Sequence, residues 1–287
     1  EPTIYNLENL RAWAREARKR KRRAPIHLKV ETGANRQGIA PESLGEFAAE
    51  LQRAPELTPL GVSTHFANIE DTTDHTFAKL QLSRFQAALK TLERLGASPQ
   101  LRHTASSAAH LVFPETRFDM IRAGIAMYGH WPSKETFLSF RHQYPNHDGR
   151  DALRPMLSFK CRIAQIKTVK KGETVGYGLS FTAERDLKIA VLPVGYFDGL
   201  DRKLSNVGHV LIGGQRARIV GRVSMNNMTV DVTELAHEKE NLLEAVVTLI
   251  GVDGAERITA EMIADWTGTI QYEALARLGE SLPRVVI

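Results

Sequence analysis

The feature that most constrains the fold is an alternation of two segment types in the first 120 residues. Short apolar segments typical of strands alternate with longer amphipathic segments typical of helices. Strands are expected over residues 26–30, 60–64, 100–103 and 120–121, and helices over residues 7–20, 41–52, 74–95 and 107–112. This alternation predicts a parallel sheet with crossover helices.

Polar side chains stand where these strands should end. They are Lys29, Arg36, His65, His103 and Arg122. Several strand ends that converge on one rim are typical of a (β/α) barrel, whose chemistry lies at the carboxyl ends of the strands. About four strand–helix units can be counted, against the eight of a closed barrel. The first part is therefore predicted to be a partial (β/α)8 TIM barrel whose first strands are missing.

The second half of the chain has a different texture. Short β-rich segments are separated by glycine-containing turns, which predicts a mostly antiparallel β domain. Its strands are expected over residues 156–169, 187–193, 209–212, 218–223, 228–232 and 245–250, with a helix over 259–266. The predicted α/β organisation is a barrel part over residues 1–138, a linker over 139–154 and a β domain over 155–287.

Composition limits the class of protein. Hydrophobic residues make up 43% and charged residues 25% of the 287 positions, as in a globular protein with a core. Apolar runs stay short of the roughly 18 residues that a membrane span needs, so no membrane partner is expected. The single cysteine, Cys161, cannot form an internal disulfide, which fits a reducing compartment and a cytoplasmic location.

A basic run, RKRKRR at residues 18–23, carries about as much positive charge as the net charge of +5, so the rest of the chain is nearly neutral. It could indicate nucleic-acid binding or targeting. We favour the end of a helix, because cations in a last helical turn face the unpaired carbonyl groups there. No nucleic-acid partner is therefore expected.

Seven segments in fixed order give a more specific signal. They are HLKVETGANRQGI (27–39), GVSTHFANIED (61–71), HTASSAA (103–109), FDMIRAGIAMYG (118–129), GETVGYG (172–178), VLPVGYFDGL (191–200) and IVGRVSMNNMTVDVT (219–233). Together they resemble the alanine racemase family. The resemblance implies a pyridoxal 5'-phosphate enzyme that interconverts L-alanine and D-alanine by two-base proton transfer. It also implies a role in supplying D-alanine for peptidoglycan, and a homodimer.

The resemblance gives Arg122 the position that faces the pyridine nitrogen of the cofactor. A guanidinium is always charged and only donates, so it keeps that nitrogen unprotonated. The resemblance also implies that His103 bonds to Arg122 and that His65 lies in the network of the catalytic tyrosine. The alternatives are a structural ion pair for Arg122 and ordinary structural roles for the histidines. A metal site is not expected, since no third ligand has suitable spacing.

The resemblance places the cofactor phosphate at Ser107 and at the backbone of Gly124 and Ile125. General physics agrees, because loops after the last barrel strands commonly hold phosphate. Ser106 or Ser107 could also simply cap a helix. Tyr272 matches a tyrosine that guards the phosphate and narrows the entrance.

The second catalytic base implied by the resemblance is Tyr177, contributed by the neighbouring subunit. A phenol has an ordinary pKa near 10 and needs polar neighbours to act near neutrality, such as His65 and Arg122. The alternative is a tyrosine that packs on a β face. Arg36 and Met225 match positions that bind the substrate carboxylate, and Lys29 matches a sometimes carbamylated lysine that positions the arginine.

The sequence departs from the family pattern at three places. Asn226 stands where many members have Asp, and Ser106 replaces a common Asn. The early V-K-A-x-A-Y-G segment, which carries the family's Schiff-base lysine, is absent. The chain is therefore expected to be truncated at its N-terminus, and residues 1–287 alone to be inactive and poorly folded.

Two other functions remain open. Asn226 is compatible with a broad-spectrum amino-acid racemase, although such enzymes are associated with export and a disulfide. Without the lysine, the chain could also be a non-catalytic fragment that binds pyridoxal phosphate. A decarboxylase of this fold is less favoured, because those enzymes place an acid where Arg122 stands.

Overall fold

The computed structural model describes residues 1–147, 149, 152–238 and 242–287, without the side chains of 237–238. The chain forms two compact units, Glu1–Pro155 and Met156–Ile287. The predicted linker over 139–154 begins inside a helix, Lys134–Gln143. Its other end packs closely against the backbone of Gly129, because a Cβ on Gly129 would lie only 1.8 Å from the Arg154 carbonyl oxygen. The first unit therefore extends to residue 155.

The first unit alternates strands and helices. Its elements are β1 (Thr3–Ile4), α1 (Leu7–Lys19), β2 (Ala24–Lys29), α2 (Leu44–Gln52), β3 (Leu57–Ser63), α3 (Thr76–Arg94), β4 (Leu101–His103), α4 (Ser107–Val112) and α5 (Lys134–Gln143). The four strands pair in parallel in the order β1-β2-β3-β4. A helix connects each strand to the next, which is the repeating unit of a (β/α) barrel.

Apolar faces of the helices close over this sheet. Leu10, Ala14 and Ala17 recur at helical spacing in α1 and are buried. They join one core with buried residues of β2, such as Ile26 and Leu28. The basic run at 18–23 begins in the last turn of α1, where Arg18 pairs with Glu56 across 2.7 Å, so the run includes a helix end as predicted.

A strand was expected at residues 120–121, and this prediction is wrong. Phe118 has a left-handed backbone with φ of 46°, which interrupts extended pairing. The Asp119 N–H donates to the Arg102 carbonyl and the Arg122 N–H to the Ala105 carbonyl. The segment therefore runs beside the end of β4 without forming a continuous ladder.

The second unit is built mainly from strands. Its elements are β5 (Phe159–Arg162), β6 (Gln165–Val169), β7 (Leu187–Leu192), β8 (His209–Ile212), β9 (Gln215–Arg218), β10 (Met228–Asp231), α6 (Leu235–Glu238), β11 (Val246–Asp253), β12 (Glu256–Ile258), α7 (Ala260–Thr267) and α8 (Gln271–Ala276). Every strand pair in the described part of this unit is antiparallel. The predicted α/β class with an antiparallel β domain is confirmed.

Two sheets share the core of the second unit. One has the order β10-β7-β6, and the other has the order β12-β11-β8-β9 with β5 paired to β11. The eight residues of β11 are long enough to pair with three strands. Buried side chains from both sheets, such as Ala190, Val230 and Val247, form one hydrophobic cluster.

The strand expected over 218–223 is also wrong in position. The strand there is β9, which ends at Arg218, and Ile219 makes only an isolated bridge to Val230. Gly221 then has a φ of +79° and donates its N–H to the Asn206 side chain, which turns the chain out of the sheet. Helices α5, α6 and α8 were not predicted at all. In the described chain, no helix is both long enough and apolar enough to cross a bilayer.

Candidate active site

Four hydrogen bonds hold the Arg122 side chain at the strand ends of the first unit. Its Nη1 donates to His103 Nδ1 at 2.8 Å and to the His103 carbonyl at 2.7 Å. Its Nη2 donates to the carbonyl oxygens of Thr64 at 2.7 Å and Thr104 at 3.3 Å. A guanidinium has five donors. Among the contacts of the described residues, the Arg122 Nε–H has no acceptor. The strand ends thus hold a fixed cation with one donor left.

Two histidines near Arg122 are held neutral. Burial, followed by the charges of Arg122, Arg36 and Lys29, lowers the pKa of His65 to about 4. Burial, followed by Arg122 and His27, lowers the pKa of His103 to about 4. A neutral imidazole has both a donor and an acceptor nitrogen, so near pH 7 each of these rings can donate one hydrogen bond and accept another.

Lys29 and Arg36 lie at the end of β2 and in the following loop. Burial lowers the pKa of Lys29, and the charges of Arg36 and Arg122 lower it further. Burial opposes ionisation of Glu31, but backbone N–H groups at residues 33–36 lower its pKa below the usual range. This carboxylate organises the loop, and its Oε1 accepts the Gly33 N–H at 2.5 Å. The exposed Arg36 therefore stands on a fixed turn.

A polar cradle lies at the start of α4. The Ser107 hydroxyl oxygen accepts the N–H groups of Gly124 at 2.8 Å and Ala126 at 3.3 Å, which leaves its own hydrogen free to donate. Next to it, the Ser106 hydroxyl is buried and has no partner within the residues that the structure describes. Ile125 is buried beside this turn, whereas Gly124 is exposed. The predicted phosphate residues are thus brought together.

These groups fit pyridoxal phosphate. The Arg122 Nε–H is a donor suited to a ring nitrogen that carries a lone pair, and the Ser106 and Ser107 hydroxyls are donors suited to phosphate oxygens. Nearby cations at Lys29, Arg36 and Arg122 favour an anionic ligand.

The second unit presents Tyr177 on a turn between two glycines. Gly176 and Gly178 have φ of 75° and 69°, a region that side-chain-bearing residues rarely adopt. The Tyr177 residue is 74% exposed. With Met225, Asn226 and Arg222 it lines a cavity of about 340 Å³. Tyr177 and Met225, predicted from separate segments, therefore lie at one site.

Gly195 explains how Met225 is held there. A Cβ at residue 195 would lie 2.2 Å from the Ser224 carbonyl oxygen and 2.5 Å from that of Met225. The missing side chain lets the Tyr196 and Phe197 N–H groups bind those carbonyls at 3.0 and 2.9 Å. Tyr272, in contrast, is half-buried in α8, and it is not one of the described residues that line the cavity.

Sequence reasoning missed two groups that accept hydrogen bonds from Arg122 and one that contacts its partner His103. Two are the backbone carbonyls of Thr64 and Thr104, which no side-chain pattern reveals. The third is His27, which is buried and whose Nδ1 lies 2.8 Å from His103 Nε2. The sequence feature that could have revealed His27 is its position two residues before Lys29, because alternate residues of a strand share a face.

Comparison with known proteins decides the family. Residues 1–132 match the family described as "Alanine racemase, N-terminal domain", and residues 156–286 match "Alanine racemase, C-terminal domain". This chain belongs to the alanine racemase family. The alanine racemase of Leptospira interrogans (strain Fiocruz L1-130) is 40% identical over 91% of this chain and 66% of its own length. The chain thus spans just under two thirds of that relative.

Solved structures of alanine racemases have the same fold. The enzyme from a D-cycloserine-producing Streptomyces lavendulae gives a TM-score of 0.85 at 34% identity, covering 99% of this chain and 71% of that one. The Bartonella henselae enzyme, solved with covalently bound pyridoxal phosphate, gives 0.80 at 27% identity, covering 100% and 73%. The predicted alanine racemase resemblance and fold are therefore confirmed.

Proposed function

We propose that the protein carrying this chain interconverts L-alanine and D-alanine with pyridoxal 5'-phosphate, and thereby supplies D-alanine for peptidoglycan. The observation that carries this proposal is Arg122, an always charged group held by four acceptors, whose Nε–H has no acceptor among the described residues. Membership of the alanine racemase family across both units supports it.

When bound, pyridoxal phosphate supplies a ring that withdraws electrons from the α-carbon of an attached amino acid. Arg122 is the residue we assign to the ring nitrogen, where a donor that never loses its proton keeps the nitrogen unprotonated. Ser107, with the backbone of Gly124 and Ile125, is assigned to the phosphate, beside Ser106. His103 holds Arg122 in place, and Tyr272 is assigned to the phosphate and the entrance.

Two bases are needed to exchange the hydrogen between the two faces of the α-carbon. We assign one face to the Tyr177 phenol oxygen, acting on the site of a partner in a homodimer, with His65 in its hydrogen-bonding network. Its exposure on a glycine-flanked turn supports this role. The other face is that of the family's Schiff-base lysine, and we assign no lysine of this chain to it.

The substrate carboxylate is assigned to Arg36 and Met225, with Lys29 positioning Arg36. The loop that Glu31 organises, and the positive charge around it, support an anionic group here. Asn226 lines the same cavity as Tyr177 and Met225, and favours a broad-spectrum amino-acid racemase as the second candidate. Free Cys161 fits the cytoplasm that we propose as the location.

The test is Tyr177→Phe in the protein that carries this chain. A positioned base contributes about 10²–10⁴-fold, and racemisation in either direction needs both bases, so we expect turnover of both enantiomers to fall in that range while cofactor absorbance is retained. Tyr196→Phe is the matched control, because Tyr196 lines the same cavity. Turnover of both enantiomers at the wild-type rate would contradict the role of Tyr177.

The same assay separates the two candidate functions. An added methylene changes discrimination by only about 1–3 kcal/mol, so serine is expected to react weakly beside alanine. Racemisation of lysine or arginine at a rate close to that of alanine would identify the broad-spectrum enzyme. No racemisation of any amino acid would contradict both.

A further inference from the structure

We propose that His27 is a positioning residue for Arg122 and acts through His103. His27 lies in β2 and is 6% exposed, and His103 is 4% exposed at the end of β4. Their rings meet edge to face with centroids 5.0 Å apart, and His27 Nδ1 lies 2.8 Å from His103 Nε2. This inference rests on the proposed function, which gives Arg122 its role.

The direction of each hydrogen bond follows from Arg122. A guanidinium only donates, so His103 Nδ1, 2.8 Å from Arg122 Nη1, must accept. A neutral imidazole carries one proton, which for His103 must then lie on Nε2 and be donated to His27 Nδ1. His27 in turn carries its proton on Nε2, 3.2 Å from the Glu1 carboxylate. Each group thus donates a hydrogen bond to the next, from Arg122 through His103 and His27 to Glu1.

His27 thus selects which nitrogen of His103 carries a lone pair. Without an acceptor at this place, the Nε2–H of His103 would be buried and unpaired, which costs free energy. The ring would relieve that cost by moving its proton to Nδ1 or by turning, and either change removes the acceptor that faces Arg122. Protonation at both nitrogens is opposed by burial and by the Arg122 charge, which lower the pKa of His103 to about 4.

Gly61 supplies an independent observation. It pairs with His27 across the β2–β3 register, and a Cβ at Gly61 would lie 2.1 Å from His27 Nδ1 and 2.5 Å from Cε1. Its backbone is not left-handed, so alanine there meets no backbone strain but would push the ring away. The missing side chain on β3 therefore makes room for the imidazole that contacts His103.

The test measures the protonation of His103 directly. Two-bond ¹H–¹⁵N spectra distinguish Nε2–H, Nδ1–H and doubly protonated rings, and His103→Gln assigns the signals. We expect neutral Nε2–H at pH 7 in the wild type. His27→Leu removes the acceptor and should give a mixture with Nδ1–H, whereas His27→Asn offers an oxygen near Nδ1 and should keep the wild-type pattern. His142→Leu, at an exposed position of α5, is the matched control.

Turnover gives the second readout. Misplacing a group by 1 Å can cost about 10²-fold, and three carbonyls still hold Arg122, so His27→Leu should lower kcat about tenfold. KM for alanine should stay within about twofold, since the substrate carboxylate is bound elsewhere. His27→Asn should restore most of kcat, and Gly61→Ala should resemble His27→Leu in both readouts.

The spectra decide this proposal whether or not alanine is racemised. Protonation of wild-type His103 at Nδ1, or an unchanged His103 pattern in both His27→Leu and Gly61→Ala, would overturn it. The expected pattern without any racemisation would support the positioning of Arg122 and contradict the proposed function instead. If His27→Leu does not fold, the wild-type, His27→Asn and Gly61→Ala spectra still decide.

Discussion

Burial and nearby positive charge together determine the protonation of two histidines in the first unit. Burial is the main cause of the lowered pKa of His65, and the charges of Arg122, Arg36 and Lys29 lower it further. The result is two imidazoles that stay neutral beside fixed cations. Such a group of residues favours an anionic ligand and still offers uncharged hydrogen-bond acceptors.

The lowered pKa of His103 predicts a pH-dependent stability. The unfolded imidazole binds a proton below pH 6.5, whereas the folded ring does so only near pH 4, so stability is complete above pH 6.5 and is lost as pH falls towards 4. One pKa unit is about 1.4 kcal/mol, and after a discount for solvent screening we expect His103 to contribute about 1 kcal/mol of loss between pH 7 and 5.

Urea unfolding at the two pH values checks this prediction. The fall in unfolding free energy between pH 7 and 5 should be smaller in His103→Gln than in the wild type, because that variant has no ring to titrate. His142→Gln, at an exposed site, should leave the fall unchanged. Equal falls in the wild type and His103→Gln would disprove the lowered pKa.

Secondary-structure elements act here through the turns that join them. The β2–α2 loop is shaped by Glu31, the turn after residue 122 is tied to α4 by Ser107, and Tyr177 stands between two left-handed glycines. In each case the functional side chain lies just outside a strand or at a helix end. The regular elements fix the position of these turns, and the turns aim the side chains.

Ser107→Ala tests the link between α4 and the turn that begins at Gly124. The change leaves two N–H groups without their acceptor, so the free energy of unfolding should fall by about 1–3 kcal/mol without cofactor. Ser106→Ala is the matched control, because that hydroxyl has no partner in the described chain, and its effect should stay below about 0.5 kcal/mol. Equal effects of the two changes would contradict the conclusion that the Ser107 hydroxyl holds the turn at Gly124 and Ala126.

In the whole molecule, the candidate residues are divided between the two units. Arg122, His65 and His103 belong to the unit 1–155, and Tyr177 and Met225 belong to the unit 156–287. In the proposed homodimer, each of the two sites combines the first unit of one subunit with the second unit of its partner. Composite sites of this kind make a mixing experiment informative.

Mixing Tyr177→Phe and Arg122→Ala proteins should restore activity that neither has alone. Each heterodimer would have one site with both residues intact, so random mixing should recover about a quarter of wild-type activity. Heterodimers are verified by native mass spectrometry, and mixing two Arg122→Ala preparations is the control. Heterodimers without any recovered activity would show that Tyr177 and Arg122 of one chain serve the same site.

The sequence alone determined the fold class and most of the element positions. Periods of two and 3.6 residues are properties of the local chain, so the limits of β8 (His209–Ile212) and α4 (Ser107–Val112) were predicted to the residue. The family followed from seven ordered segments. Helix α5 was missed because its sequence KETFLSFRHQ, with only Thr136 buried, has a weak apolar face.

The tertiary structure alone decided that backbone carbonyls bind Arg122 and that His27 contacts its partner His103. Thr64 is 58 residues from Arg122 in the chain, and His27 is 76 residues from His103. Which residues of parallel strands lie side by side depends on register, and no local pattern encodes that distance. The space for the His27 ring depends in the same way on Gly61, a residue of the neighbouring strand. Residue types come from the chain, but which donor meets which acceptor follows from how the strands pair.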